Sequence, residues 1–349
     1  MTPDQFWLDV SQPFCPPVVL PDIGTFFNQD MQLAERLMQA VAESGARYVK
    51  GEILHDADIC LPSDTAEHYL GQAAEPVSEN YRALIERKTV SLDQYRRLFE
   101  ACPRLGLGLV LSVYDPSGAN FAREVGACAL KIASTNVVHA PLIRYCASLG
   151  LPLIIDTGKA TLAEAERAVS WAREGGATRL IVEYSPPAPP APLERHNLRV
   201  LPELQKLFGL PIGLSDHHHG EEMLYAAAAL GCRVLEKGLC DTDADADQDV
   251  FHALPLQRLR EVINACHNVH AALGEAHAAY APPAERPSAR MGLVAQRDLQ
   301  PGEKLSLENV RFAFPTLGIP VEKWDAVAGN SLSKPVAANT PVDWSDVDS

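Results

Sequence analysis

Lys50, Lys131 and Lys237 each fall at or near the C-terminal end of a short run rich in Val, Ile and Leu. Lysine is seldom buried without a partner. One such residue reads as a snorkelling or salt-bridged structural group. Three on the rim of one parallel sheet read as a pocket for phosphate or carboxylate. That chemistry requires the ammonium groups to face a common mouth. Ammonium groups that point apart, or that neighbouring carboxylates alone engage, would remove the basis for an enzymatic reading.

Two further polar groups lie at strand ends. Ser215-Asp216-His217-His218-His219-Gly220 follows an apolar run directly. Three successive histidines cannot all face one way, so His217 is the candidate metal ligand or general acid/base, and His218 and His219 read as solvated. Downstream, Glu236-Lys237-Gly238-Leu239-Cys240 leads into an acidic loop with aspartates at 241, 243, 245, 247 and 249. Its spacing lacks the glycine and terminal glutamate of an EF-hand, so a solvated loop is expected, with Asp249 the exception.

Positioning such residues takes repeated βα units. Strands are expected at Val18 to Asp22, Arg47 to Glu52, Gly108 to Ser112, Ala129 to Ile132, Pro152 to Asp156, Arg179 to Tyr184, Pro211 to Ser215 and Val234 to Lys237. Between them run amphipathic segments with apolar residues near i, i+3, i+4 and i+7. Thr161 with Glu164 predicts a capping box, and Ser91 with Gln94 a weaker one. Glycines 45, 106, 126, 150, 175 and 231 mark helix ends. Eight units make an α/β protein, a (β/α)8 barrel of the TIM type. The polar stretch from His55 to Arg87 interrupts the rhythm and reads as a lid or binding loop. We expect the barrel over residues 1–274, a Pro- and Ala-rich linker over 275–290 and a small mixed domain over 291–349, with a Pro301-Gly302 turn and a helical start at Ser306 to Asn309.

The bulk numbers agree with a folded two-domain protein. The chain has 349 residues, 47% hydrophobic and 21% charged. A net charge of −15 argues against nucleic acid or an anionic membrane as partner. The N-terminus lacks a signal-peptide pattern and no apolar run approaches the length of a membrane span, so a cytoplasmic protein is expected. The eight cysteines form no CxxC pair and read as buried thiols, with Cys240 set apart for its place beside the acidic loop.

An ordered set of short motifs then resembles the sialic acid synthase family (N-acetylneuraminate and other nonulosonic acid synthases). These are Ile23-Gly24, Ser44-Gly45-Ala46, Val49-Lys50, Ser112, Leu130-Lys131-Ile132-Ala133-Ser134, Pro141-Leu142, Asp156-Thr157-Gly158-Lys159-Ala160-Thr161-Leu162, Gly213-Leu214-Ser215-Asp216-His217 and Glu236-Lys237. The last domain, with Leu293-Val294-Ala295, Pro301-Gly302-Glu303 and Glu308-Asn309, is similar to the antifreeze-like (SAF, β-clip) domain that ends these enzymes. The resemblance implies that phosphoenolpyruvate adds its C3 to the aldehyde of an N-acetylmannosamine-like sugar, that Mn2+ or Mg2+ polarises the aldehyde, and that water attacks C2 with loss of phosphate. It implies Lys50, Lys131, Ser134 and Ser215 as the phosphoenolpyruvate site, with Ser112, Asp216, Lys237 and Asp249 also facing substrate. Asp22, His217 and Lys50 are the implied catalytic residues. It further implies a homodimer in which the last domain covers the partner's barrel mouth.

Departures from the family pattern are equally specific. Asp22 stands for a glutamate, Thr25-Phe26-Phe27 follows where an Asn-His pair is usual, and Thr135-Asn136 replaces Gly-Glu. Gly238 stands where the metal's second histidine is expected, so Cys240 or an aspartate of the next loop is the possible substitute ligand. Pro186 to Pro190 replaces phosphate-side donors, and Phe314 stands for the arginine that reaches the neighbouring subunit's sugar site. These changes leave two other readings: a barrel that binds a phosphorylated ligand without turnover, or a lyase or isomerase on a different sugar. The acceptor itself is not legible in the sequence.

Overall fold

Alternating buried strands and amphipathic helices close into a ring. The computed structural model describes residues 1–186, 191–241, 249–274 and 288–348. Pro187 to Pro190, the aspartates at 243, 245 and 247 and most of the expected linker (275–287) lie outside the described residues. The chain divides into two compact units, Met1–Gly274 and Glu275–Ser349.

In the first unit eight parallel strands follow in chain order: β1 (Val18–Asp22), β2 (Tyr48–Ile53), β3 (Gly108–Val113), β4 (Ala129–Ile132), β5 (Leu153–Asp156), β6 (Leu180–Tyr184), β7 (Ile212–Asp216) and β8 (Val234–Cys240). Each pairs with the next, and β8 returns to β1 in the register Val18↔Val234, so the expected barrel is closed. Both predicted capping boxes form, at Ser91 and Thr161. One helix end differs from expectation. Gly175 has φ −74° and stays right-handed, and the left-handed residue is Gly176, at φ 97°.

Side chains alternate between two faces of each strand. One set packs outward under the helices. The other fills the barrel interior with Val18, Leu20, Tyr48, Val110, Ala129, Ile154, Ile181 and Val234. The helix Pro3–Ser11, not anticipated from the sequence, adds Phe6 and Val10 to this inner cluster. Its Phe6 ring meets Tyr48 edge-on with centroids 5.0 Å apart, and the Tyr48 hydroxyl donates to Asp9 at 2.7 Å. Arg233 ties the helix down through the carbonyls of Asp9, Val10 and Gln12. The amino ends of the strands are therefore plugged, and the polar residues collect at the other end.

The interruption after β2 is structured. An antiparallel hairpin, Ala66–Leu70 with Pro76–Asn80, runs into the helix Tyr81–Lys88. Gln29 anchors it by donating to the carbonyls of Glu86 at 3.0 Å and Thr89 at 2.8 Å.

The second unit has its own core of Leu293, Leu299, Leu305, Val310, Ile319 and Val342 around the antiparallel pair Gly292–Ala295 and Val310–Ala313. The predicted helical start at Ser306 to Asn309 is a turn instead. Asn309 bridges it, its Oδ1 accepting from the Ser306 N–H and its amide donating to the Lys304 carbonyl, both at 2.9 Å. An Asn side chain that satisfies the local backbone competes with helix propagation. Among the described residues no helix is long and apolar enough to cross a membrane.

Candidate active site at the carboxyl end of the barrel

The inward register continues past the apolar layer into a polar one. Asp22 follows Leu20, Lys50 and Glu52 follow Tyr48, Ser112 follows Val110, Lys131 follows Ala129, Asp156 follows Ile154, Glu183 follows Ile181, Ser215 follows Gly213 and Glu236 follows Val234. These residues, other than Glu183, line one cavity of about 210 Å³ together with Ser134, Lys88, Lys159, His217, Asp249 and His252.

Lys50 and Lys131 converge, and both are engaged by carboxylates. Lys50 Nζ lies 2.6 Å from Asp22, 3.2 Å from Glu52 and 3.7 Å from Glu236. Lys131 Nζ lies 2.6 Å from Glu236 and 3.0 Å from Asp156. It also lies 2.6 Å from Glu183. Five carboxylates thus face two ammonium groups. The expectation that free lysines neutralise an anion fails on this point: the charge of both is already balanced within the protein.

Burial acts on the whole layer. It pushes Asp22 up to about 7 despite the neighbouring Lys50. Burial and the charge of Glu236 push Glu183 up to about 8 against the pull of Lys131. Burial would raise Glu236 too, but Lys131 and Lys50 outweigh it and bring it to about 2. For both lysines the surrounding carboxylates overcome the burial penalty and hold the ammonium form.

Lys237 does not join them. It is one residue out of register with Glu236, so it points to the outer face, where its Nζ contacts Asp216 at 2.8 Å and the His218 carbonyl. Asp216 is engaged by this pair and by the His218 N–H. The substrate contact expected of Lys237 is corrected by the two-residue period of a strand, whereas Asp216, though paired with Lys237, is among the residues lining the cavity.

Of the three histidines, His217 alone lines the cavity, although His218 and His219 are held rather than loose. His218 Nε2 lies 3.3 Å from Glu222, and His219 stacks on Phe251 and bonds its carbonyl at 2.7 Å. The Ser215 carbonyl accepts from His217 Nδ1 at 3.2 Å, which leaves Nε2 with its lone pair. Facing it is His252, with ring centroids 4.9 Å apart, and Asp249 Oδ1 lies 3.4 Å from His252 Nε2. One ligand atom from each of His217, Asp249 and His252 lies within 4.8 Å of the others. Cys240, the possible substitute ligand, is elsewhere: its Sγ is 3.8 Å from the Ala253 carbonyl, packed with Val250 and Ala253.

Sequence reasoning missed Glu52, Asp156, Glu183, Lys88 and His252. For the first three a signal existed, since each shares the inward parity of its strand. His252 had none, because it stands in a short 3-10 turn, Val250–His252, beyond the acidic loop.

A closed eight-stranded barrel with ionisable groups at its carboxyl mouth, followed by a small β domain, defines a class of barrel enzyme with an appended domain. The chain belongs to the NeuB family, whose model matches residues 37–278, and the SAF domain model matches residues 290–348. It is 27% identical over 335 residues to a pseudaminic acid synthase of Helicobacter pylori, covering 95% of this chain and 98% of that protein. It is 25% identical over 344 residues to the N,N'-diacetyllegionaminic acid synthase of Legionella pneumophila, covering 95% and 94%. Among solved structures, the putative spore coat polysaccharide biosynthesis protein E of Chromobacterium violaceum superposes with a TM-score of 0.68 at 22% identity, covering 95% of this chain and all of that one.

Proposed function

We propose that the chain is a carbon–carbon bond-forming synthase that joins phosphoenolpyruvate to the aldehyde of an aminosugar, giving a nonulosonic-type 2-keto-3-deoxy acid and phosphate. The observation that carries this reading is the similarity of the chain over nearly its whole length to nonulosonic acid synthases, with Ser112, Ser134, Ser215 and the imidazole of His217 around one cavity; Lys50 and Lys131, held by carboxylates, do not carry it. C3 of the enol would bond to the aldehyde carbon, water would add at C2, and the phosphate would leave. Asp22, raised toward neutrality by burial, is suited to return a proton to the new alkoxide. Ser134 and Ser215 would orient the enol, and Lys50 and Lys131 would exchange a carboxylate partner for its anionic groups. A divalent ion, when bound, would polarise the aldehyde.

Incubation with phosphoenolpyruvate and a panel of N-acetylhexosamine-type aldehydes, with phosphate assayed, tests the proposal. Phosphate release that depends on both substrates supports it. No release across the panel, together with no phosphoenolpyruvate binding by calorimetry, refutes it.

The carboxylate ring around Lys131 favours a second reading, in which a neutral polyhydroxylated aldehyde undergoes retro-aldol cleavage or isomerisation at the same site. Carboxylates accept sugar hydroxyls well and repel phosphate. Mass spectrometry of products from unphosphorylated sugars separates the two. Tight binding of a phosphorylated ligand without turnover would instead identify a binding protein. A cytoplasmic homodimer with exchanged last domains completes the proposal, and sedimentation of the full chain tests the assembly.

A further inference from the structure

We propose that this chain holds a divalent first-row transition ion between His217, His252 and Asp249, with His252 taking over from the histidine that the family resemblance places at position 238. The inference deepens the synthase reading and rests on it for the ion's purpose, while the ligand set stands on geometry.

Position 238 has lost more than a side chain. A Cβ built at Gly238 would lie 3.1 Å from two ring carbons of Phe26. Phe26 itself stands where the resemblance places a polar pair, so an aromatic ring now covers the strand end from which the expected ligand would project. A histidine at 238 and the phenyl ring of Phe26 compete for one volume. The two departures noted separately in the sequence are therefore one packing change.

The compensating ligand comes from the neighbouring segment, whose Ala253 lies 3.7 Å from the same built Cβ. His252 is 2% exposed, yet neither ring nitrogen has a hydrogen-bond partner among the described residues. Buried imidazoles are normally satisfied, and here Nδ1 has no partner while Nε2 has only the Asp249 carboxylate 3.4 Å away, so a ring facing a polar cavity in this way requires an explanation. A packing role alone would be served as well by an apolar ring.

Asp249 and His217 stand beside it. Two ligands of one ion with bonds of about 2.0–2.2 Å sit roughly 3–4 Å apart. The 3.4 Å between His252 Nε2 and Asp249 Oδ1 falls in that range. His217 is oriented by the Ser215 carbonyl on Nδ1, the arrangement that aims the other nitrogen of a metal-binding histidine at its ion. Two imidazoles and one carboxylate suit Mn2+, Fe2+, Co2+ or Zn2+ better than Mg2+, and leave coordination positions open toward the cavity.

The test uses the full-length chain, stripped with a chelator and titrated with Mn2+ by electron paramagnetic resonance of the free ion and with Co2+ by visible absorption. One ion per chain is expected. His252→Ala, His217→Ala and Asp249→Asn should each weaken binding by ~100-fold or more, and Cys240→Ser should leave it unchanged. His252→Gln, with native circular dichroism, guards against a merely unfolded variant. Wild-type affinity in folded His252→Ala or His252→Gln overturns the proposal, as does the absence of stoichiometric binding in the parent chain. These readouts need no turnover. An ion bound through His252 without phosphate release refutes the synthase reading and leaves the site, and phosphate release in a chain that binds no ion does the reverse.

Discussion

Glu236 Oε1 lies 2.6 Å from Lys131 Nζ and 3.7 Å from Lys50 Nζ, so one carboxylate oxygen bridges two ammonium groups. Lys131 is on β4 and Glu236 on β8, four strands apart in a ring of eight, so this contact spans the barrel. The same oxygen accepts from the Ser215 hydroxyl at 3.0 Å. The polar layer is therefore one connected network.

Removing Lys131 should expose the cost of that network. In Lys131→Met, Asp156, Glu183 and Glu236 face one another without their shared cation. Breaking a buried pair by deleting one partner costs about 3–5 kcal/mol. Urea denaturation at pH 7 should show a loss of this size, shrinking toward pH 4 as carboxylates protonate. A neutral result would mean that water reaches the layer.

Stability should pass through a maximum at about pH 4 to 5 and fall on both sides of it. Asp22 and Glu183 have folded values near 7 and 8, above ordinary carboxylates. Their contribution is full below the unfolded value of about 4 and is lost as pH rises through 7 and 8. Glu236, near 2, contributes above its unfolded value and loses this as pH falls toward 2. A Tm profile from pH 3 to 9.5 should decline at each end, and Glu183→Gln should flatten the alkaline limb.

Anion binding should take up protons. A phosphate drawn to Lys50 and Lys131 raises the proton affinity of the carboxylates it displaces. Calorimetry of phosphoenolpyruvate binding at pH 8 in buffers of different ionisation enthalpy should show net proton uptake, and affinity should rise from pH 8.5 to 6.5. Proton release would contradict the carboxylate exchange.

Gly238→His should be destabilising by about 1–3 kcal/mol, because the new Cβ overpacks against Phe26. Phe26→Ala alone should cost about 3–5 kcal/mol through a cavity. The double variant should be less destabilised than the sum, and a double-mutant cycle by chemical denaturation measures that coupling.

Phe6→Ala should cost about 3–5 kcal/mol, since the ring is fully buried against Tyr48 under the barrel. Ligand affinity at the opposite mouth should be unchanged in the fraction that remains folded. Differential scanning calorimetry and binding assays on the same preparation would check both statements.

Much of the molecule was legible in the residue order. The eight strands, both capping boxes, the convergence of Lys50 with Lys131 and the place of His217 all follow from local signals: apolar period, cap residues and position at a strand end. Lys237 was misplaced because proximity to a strand end was considered without its parity. Ser306 to Asn309 was misread because Asn309 closes a turn through its own side chain. By itself the sequence determined the barrel, the appended domain and the family, since those depend on periodicities and motifs carried within short segments. Only the tertiary structure decided the state of the site. The charge balance of Lys131 depends on carboxylates from three other strands, and the pairing of His217 with His252 joins residues on separate loops. Coulombic and coordination chemistry act across a few ångströms, and that distance is set when the sheet closes.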